Sequence, residues 1–329
     1  MSKLKAIVLA FVLLAITMTG AKAQQAPIFT NYTNSYAYIN PGFAGLSEGV
    51  NLLGLYRQQW AGFTDNNGED IAPTTFLLTG DMPIRLLKGG ISFSIMTDKL
   101  GFEDNTNLGL GYSYHADLGG STLGIGISAS LLNKAVDFGK LKPGQEGDPL
   151  LSSLSGKAST MLVDVSFGLF WQIPESFYIG FSGINLLNST GRAQASDGTG
   201  SGNDSGITAS FTSDRTLYLV AGYPFLIETI PNFKFIPSVN VMTNLSSAQL
   251  NAGMKVVYND LFSLGVNYRP QESIGVTVGL TIKDFVLGYA YDINTMGHSI
   301  PGSHEFALSY CFKLDIDRTP RDYRSVRYL

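Results

Sequence analysis

The chain has 329 residues, a formal net charge of −4 and one cysteine, Cys311, with no composition break that would divide it. One thiol excludes an internal disulfide framework, and an evenly spread, slightly acidic charge excludes a nucleic-acid footprint. Only 15% of residues are charged and 12% are aromatic, where a water-soluble domain carries about 25% charged residues.

At the amino terminus, Lys3 and Lys5 precede an apolar run from Ala6 to Met18, and Ala21-Lys22-Ala23 fits the small-x-small cleavage rule. The run falls short of the roughly 20 residues a membrane-spanning helix needs. Residues 1–23 are therefore expected to be a cleaved signal peptide, and 24–48 a periplasmic segment leading into the first strand. No later stretch reaches the length of a spanning helix, so a membrane role falls to strands.

Alternation supplies those strands. Leu108, Leu110, Tyr112 and Tyr114 interleave with Asn107, Gly109, Gly111 and Ser113. Leu123 to Leu131 repeats the pattern on odd positions against Gly124, Gly126, Ser128 and Ser130, and Ile274 to Ile282 on even positions against Gly275, Thr277 and Gly279. One face is apolar and the other small or polar, as a lipid-facing strand requires. Such segments lie near 49–59, 73–83, 88–98, 105–117, 121–133, 158–172, 176–187, 214–223, 232–243, 247–258, 260–269, 273–282, 284–292 and 303–313. The fold expected is all-β: a transmembrane antiparallel β-barrel of about fourteen strands over 49–313, with short periplasmic turns and longer outward loops. The long connections 60–72, 134–157, 188–213 and 293–302 fall on one side, while Gly119-Gly120, Pro174-Glu175, Asn259 and Lys283-Asp284 make tight turns on the other. Inward glycines at 109, 111, 124, 126, 275 and 279 permit curvature and leave room in the lumen.

Chemistry-bearing constellations are weak. His115, His298 and His304 have no cysteine or carboxylate cluster at metal spacing, and no nucleotide-binding motif carries a Walker lysine. No catalytic residue, cofactor or metal site is assigned, and the chain is read as a non-enzyme. The Gly/Ser/Thr-rich 188–213 segment reads as a flexible loop, because Asp197, Asn203 and Asp204 lack calcium-loop spacing. Residues 134–157 read as a solvated loop. After the last strand, residues 314–329 form a periplasmic tail with Arg318, Arg321, Arg324 and Arg327. That tail is either solvated or a contact for a carboxylate-bearing periplasmic partner.

Two strings are more specific. Asn40-Pro41 begins Asn-Pro-x-x-Ala-Gly, ending on Ala44 and Gly45. Tyr56-Arg57-Gln58-Gln59-Trp60-Ala61-Gly62-Phe63 closes the first strand. On residues alone, Asn40-Pro41 is an extended or turn step, and Trp60 and Phe63 are aromatic-girdle residues. Arg57 is open between pairing with a lumen carboxylate and snorkelling at the rim. With Asp98-Lys99-Leu100-Gly101, Tyr289-Ala290-Tyr291-Asp292 and Gly302-Ser303-His304-Glu305, these strings resemble the PorP/SprF family of type IX secretion system membrane proteins across the mature chain. The resemblance implies an outer-membrane component that assists export or surface attachment of a secreted partner such as a large adhesin, or couples to the periplasmic machinery, in some members with gliding motility. The partners implied are other secretion-system proteins, adhesin-like cargo and outer-membrane lipid. A passive porin-like channel or small-molecule transporter is the alternative, and a structural adhesin a weaker one.

Overall fold

The computed structural model describes residues 26–313 apart from 48, 65–67, 69–70, 141–156, 195–207 and 298–299. The segment expected to be a signal peptide, His298 and the residues carrying Arg318, Arg321, Arg324 and Arg327 lie outside the described residues. The chain forms β1 (Gly49–Gln58), β2 (Thr74–Ile84), β3 (Gly89–Leu100), β4 (Glu103–Asp117), β5 (Thr122–Asp137), β6 (Lys157–Ile173) and β7 (Phe177–Ile184). Then follow β8 (Thr190–Gln194), β9 (Thr208–Thr212), β10 (Thr216–Gly222), β11 (Phe225–Leu226), β12 (Phe233–Thr243) and β13 (Ala248–Tyr258). The last are β14 (Phe262–Arg269), β15 (Ser273–Ile282), β16 (Phe285–Asn294) and β17 (Ser303–Lys313).

Fourteen of these strands close into one antiparallel barrel. Neighbours pair in chain order, β7 passes to β10 and β10 to β12, and β17 returns to β1, with Gly49 opposite Lys313 and Gln58 opposite His304. Closure leaves no open sheet edge, which lipid could not hydrate. The alternation resolves as expected. Leu110 is 71% exposed, Ile127 62% and Leu264 57% on the outside, while Ser113, Ser182 and Thr277 are buried within. These apolar outer faces suit the hydrocarbon of a bilayer, not water.

The two ends of the barrel differ. At one, tight turns use left-handed backbone: Gly119 and Gly120 between β4 and β5, and Asn259 and Asp260 between β13 and β14, all have positive φ, as two-residue hairpins of this twist demand. The other end carries the longer connections, and β4, β5 and β6 reach furthest toward it with 15, 16 and 17 residues. We refer to these as the turn end and the loop end.

Two expectations are corrected. The 188–213 connection is not simply a flexible loop: β8 and β9 pair from Thr190 opposite Thr212 to Gln194 opposite Thr208. A Cβ added at Gly191 would meet Thr160 and Leu162, so this hairpin packs on the inner face of β6. The fully buried Asp164 carboxylate anchors its base, accepting from the amides of Leu187 and Ser189 and from the Ser213 hydroxyl. The second correction concerns residues 26–47, part of the 24–48 segment expected beyond the turn end. They run through the lumen instead, because the inward glycines and serines of the wall leave that space and the segment's apolar side chains fill it.

Candidate functional site

The N-terminal segment enters at the loop end and leaves at the turn end. Its first contacts are with residues near the loop ends of β14, β16 and β17, and its last with Met82, Gly90, His115 and Gln172 near the turn ends of β2, β3, β4 and β6. Between them lie a 3-10 turn at Tyr32–Asn34, one helical turn α1 (Tyr36–Ile39) and a second 3-10 turn at Pro41–Phe43.

A charged clasp holds the loop-end part. Strand alternation turns Arg57, Arg269, Asp292 and Glu305 inward, and each is no more than 4% exposed. Arg57 Nη2 lies 2.8 Å from Asp292 Oδ2, and Nη1 lies 3.3 Å from Glu305 Oε2. Arg269 also pairs with Asp292, and its Nε lies 3.2 Å from Glu272. The segment completes this network. The amides of Thr30 and Asn31 each donate to Glu305 over 2.8 Å, and the Thr30 hydroxyl donates to Asp292 over 2.8 Å. Charge-assisted bonds of this kind are the stronger ones, and here both carboxylates are shared between the barrel and the segment. Arg57 therefore pairs with lumen carboxylates and does not snorkel to the rim.

Aromatic packing fills the middle. Tyr36 lies 5.7 Å from Phe43, 5.7 Å from Phe170 and 5.6 Å from Tyr178, while Phe170 and Tyr178 stack at 5.8 Å. The Tyr36 and Tyr178 hydroxyls are 3.0 Å apart, and Tyr32 Oη is 2.7 Å from Ser238 Oγ.

The Asn-Pro-x-x-Ala-Gly string seats the segment on the opposite wall. Asn40 is extended; its Oδ1 accepts from the Gly42 amide at 2.9 Å, and its Nδ2 donates to the Leu169 carbonyl at 3.0 Å. Ser182 donates to the Ile39 carbonyl, Ser113 to that of Gly42 and His115 to that of Ala44, at 2.6, 3.0 and 2.9 Å. The Gly45 amide donates to Asp81 at 3.0 Å. Here the inward glycines have a steric cause. A Cβ at Gly126 would lie 2.2 Å from the Pro41 carbonyl carbon, and one at Gly168 2.1 Å from Asn40 Oδ1. Gly45 itself has a φ of +71° and passes so close to Gly90 that a Cβ would lie 2.5 Å from its Cα.

The second string closes β1 against β17. Trp60 donates its amide to Ser303 Oγ, Ala61 to the Gly302 carbonyl and Gln59 to the Pro73 carbonyl, at 3.1, 2.9 and 2.8 Å. Gly62 takes a positive φ as the chain turns, and Trp60 meets Phe63 edge-on at 6.1 Å. Tyr56 and Phe63 face outward, 42% and 36% exposed, in keeping with an aromatic girdle. Sequence reasoning missed the roles of Thr30, Arg269, Asp292 and Glu305. All but Thr30 occupy inward positions of the alternation, which was the available signal. Among the described residues, no group of three or more His, Cys, Asp or Glu side chains could hold a metal ion.

Fold and lumen together define an outer-membrane β-barrel whose interior is filled by its own N-terminal segment. The sequence matches the family described as type IX secretion system membrane protein PorP/SprF over residues 21–310, and the chain belongs to that family. A search among curated proteins finds no match. Among solved structures, the toluene transporter TbuX of Ralstonia pickettii is similar with a TM-score of 0.50 at 13% identity, covering 85% of this chain and 94% of that one. A FadL homologue of Pseudomonas aeruginosa gives 0.47 at 12%, with 85% and 94% covered. Outer membrane protein Omp33 of Acinetobacter baumannii gives 0.43 at 9%, with 82% and 100% covered. At such identities the first likeness concerns fold alone.

Proposed function

We infer that this protein is a non-enzymatic outer-membrane component of the type IX secretion system that assists export or surface attachment of a secreted partner, a large adhesin being the type of cargo in view. The observation that carries this reading is the family match across nearly the whole barrel. The filled lumen supports it, since a barrel occupied from loop end to turn end is poorly suited to standing passage of solutes. The loop end faces outward in this reading and offers the cargo contact, while the turn end faces the periplasmic machinery. Arg318, Arg321, Arg324 and Arg327 are the proposed contact there, and deleting residues 315–329 should reduce recovery of a periplasmic partner on co-purification; undiminished recovery removes the tail from the proposal. The function is tested by deleting the gene and comparing surface and culture-fluid proteomes. Loss of one or two large adhesins supports a dedicated partner, and broad loss supports a core component. An unchanged proteome in a strain without a paralogue overturns the secretion role.

A further inference from the structure

The wall behind the N-terminal segment differs in chemistry from the segment it holds. On one side, Ser92, Ser94, Ser128, Ser130, Ser166 and Asn107 line a cavity of about 30 Å³ against Ala37, Tyr38 and Pro41. On the other, Tyr218, Asn240, Gln249 and Asn251 line one of about 10 Å³ against Phe29, Tyr32 and Ile39. These volumes admit a water molecule or so each. Around them, Ser130 Oγ, Asn107 Oδ1, Tyr218 Oη, Asn240 Oδ1, Gln249 Nε2 and both amide atoms of Asn251 are buried without a protein partner. Buried polar groups are nearly always paired, so a wall built only to hold this segment would be apolar or would have its polar atoms matched by it. These atoms suit liquid water better than the rings that cover them.

We propose that the lumen is an aqueous conduit for hydrated ions and small polar solutes, and that residues 26–46 are its removable stopper, latched at the loop end by Arg57, Asp292 and Glu305. Withdrawing the segment returns the serine, asparagine and glutamine side chains to water. It also leaves Arg57, Arg269, Asp292 and Glu305 as a charged constriction near the mouth, the kind of ring that sets ion preference in a pore. The charged latch holds the loop-end half and the seat of Asn40 to Gly45 holds the other, so loosening the latch frees the loop-end half of the segment first. The conduit rests on the geometry of the lumen and not on the secretion role, so either can fail without the other.

The test is conductance of the full-length protein in planar bilayers in potassium chloride. One variant lacks residues 26–46. A second keeps the chain intact and weakens the latch with Asp292→Asn and Glu305→Gln, adding Thr30→Cys and Gly275→Cys in a Cys311→Ser background. A Cβ at Gly275 would lie 2.7 Å from Thr30 Cγ2, so the two new thiols are within disulfide reach. Wild type is expected to stay closed, and the deletion and the reduced latch variant to show about tenfold or more mean conductance as the closed population falls. Oxidising the latch variant should restore silence. A folded, reduced latch variant as silent as wild type overturns the proposal, and it decides alone if the deletion does not fold. Wild type conducting as much as the deletion overturns it equally.

Discussion

Replacing Arg57 by alanine removes the one cation among the described residues that touches both carboxylates of the clasp. Asp292 keeps Arg269 and the Thr30 hydroxyl, while Glu305 keeps the amides of Thr30 and Asn31. Removing one partner of a buried ion pair costs about 3–5 kcal/mol, because the remaining charge stays buried and uncompensated. Arg57 is 4% exposed and Glu305 1%, so solvent screening does not reduce that range. Arg269 still offsets Asp292, which places the expected loss near the lower bound, about 3 kcal/mol. Arg57→Lys keeps the charge but lacks the fork that reaches two acceptors at once, so it should fall between wild type and Arg57→Ala.

Urea unfolding in lipid vesicles measures this directly, because the two tryptophans report opposite ends: Trp60 follows β1 at the loop end, and Trp171 lies at the turn end of β6. Trp60 should respond at lower urea than Trp171 in the alanine variant. A double-mutant cycle with Glu305→Gln should give a coupling of about 1 kcal/mol or more, as for residues sharing one network. A loss under about 1 kcal/mol with no coupling, the behaviour of an exposed pair, would refute the reasoning and show that water already reaches the clasp.

Three further outcomes are expected. Gly126→Val places side-chain atoms where Pro41 sits, so the segment should be expelled and become cleavable by added protease while the barrel persists; a protected segment refutes the close fit. Leu110→Lys, on the lipid-facing side of β4, should lower stability in bilayers by about 2–4 kcal/mol. Measured folding equilibria unchanged by that substitution would mean this face does not meet hydrocarbon. Asp164→Ala leaves the amides of Leu187 and Ser189 without their acceptor, a local cost of about 1–3 kcal/mol. Limited proteolysis should then cut within 188–213 more readily, and an unchanged cleavage rate would show that other contacts hold the β8–β9 hairpin.

The barrel was legible because its physics is written locally. Each strand must show lipid one face and the lumen the other, so Leu108 to Tyr114 or Ile274 to Ile282 declare themselves by alternation alone, and the turns by residues that tolerate left-handed backbone. The β8–β9 hairpin was not legible for the same reason. Residues 190–194 and 208–212 are five-residue strands whose alternation rests on Gly191 and Ala193 in one and Ala209 and Phe211 in the other, too short and too small-sided to stand out from a Gly/Ser/Thr loop.

The site failed to show for a different reason: its partners are far apart in sequence and no local pattern links them. Thr30 meets Asp292 and Glu305 across 262 and 275 residues. The segment itself offers only one helical turn between two 3-10 turns, with no period to read. Yet its imprint was present on the wall. Inward glycines on β5 and β6 do more than permit curvature, since Gly124, Gly126 and Gly168 are the places where a Cβ would strike the backbone or side chain of Asn40-Pro41-Gly42. At Gly265, Gly279 and Gly288, on β14 to β16, the atoms nearest an added Cβ belong to other barrel residues. Glycine in this barrel therefore has two separate causes, crowding between strands and a molded seat for the segment, the second also felt at Gly275, where a Cβ would lie 2.7 Å from Thr30 Cγ2. Only the second ties the Asn-Pro-x-x-Ala-Gly string to the lumen, which is why that string reads as an ordinary turn until the barrel is closed around it.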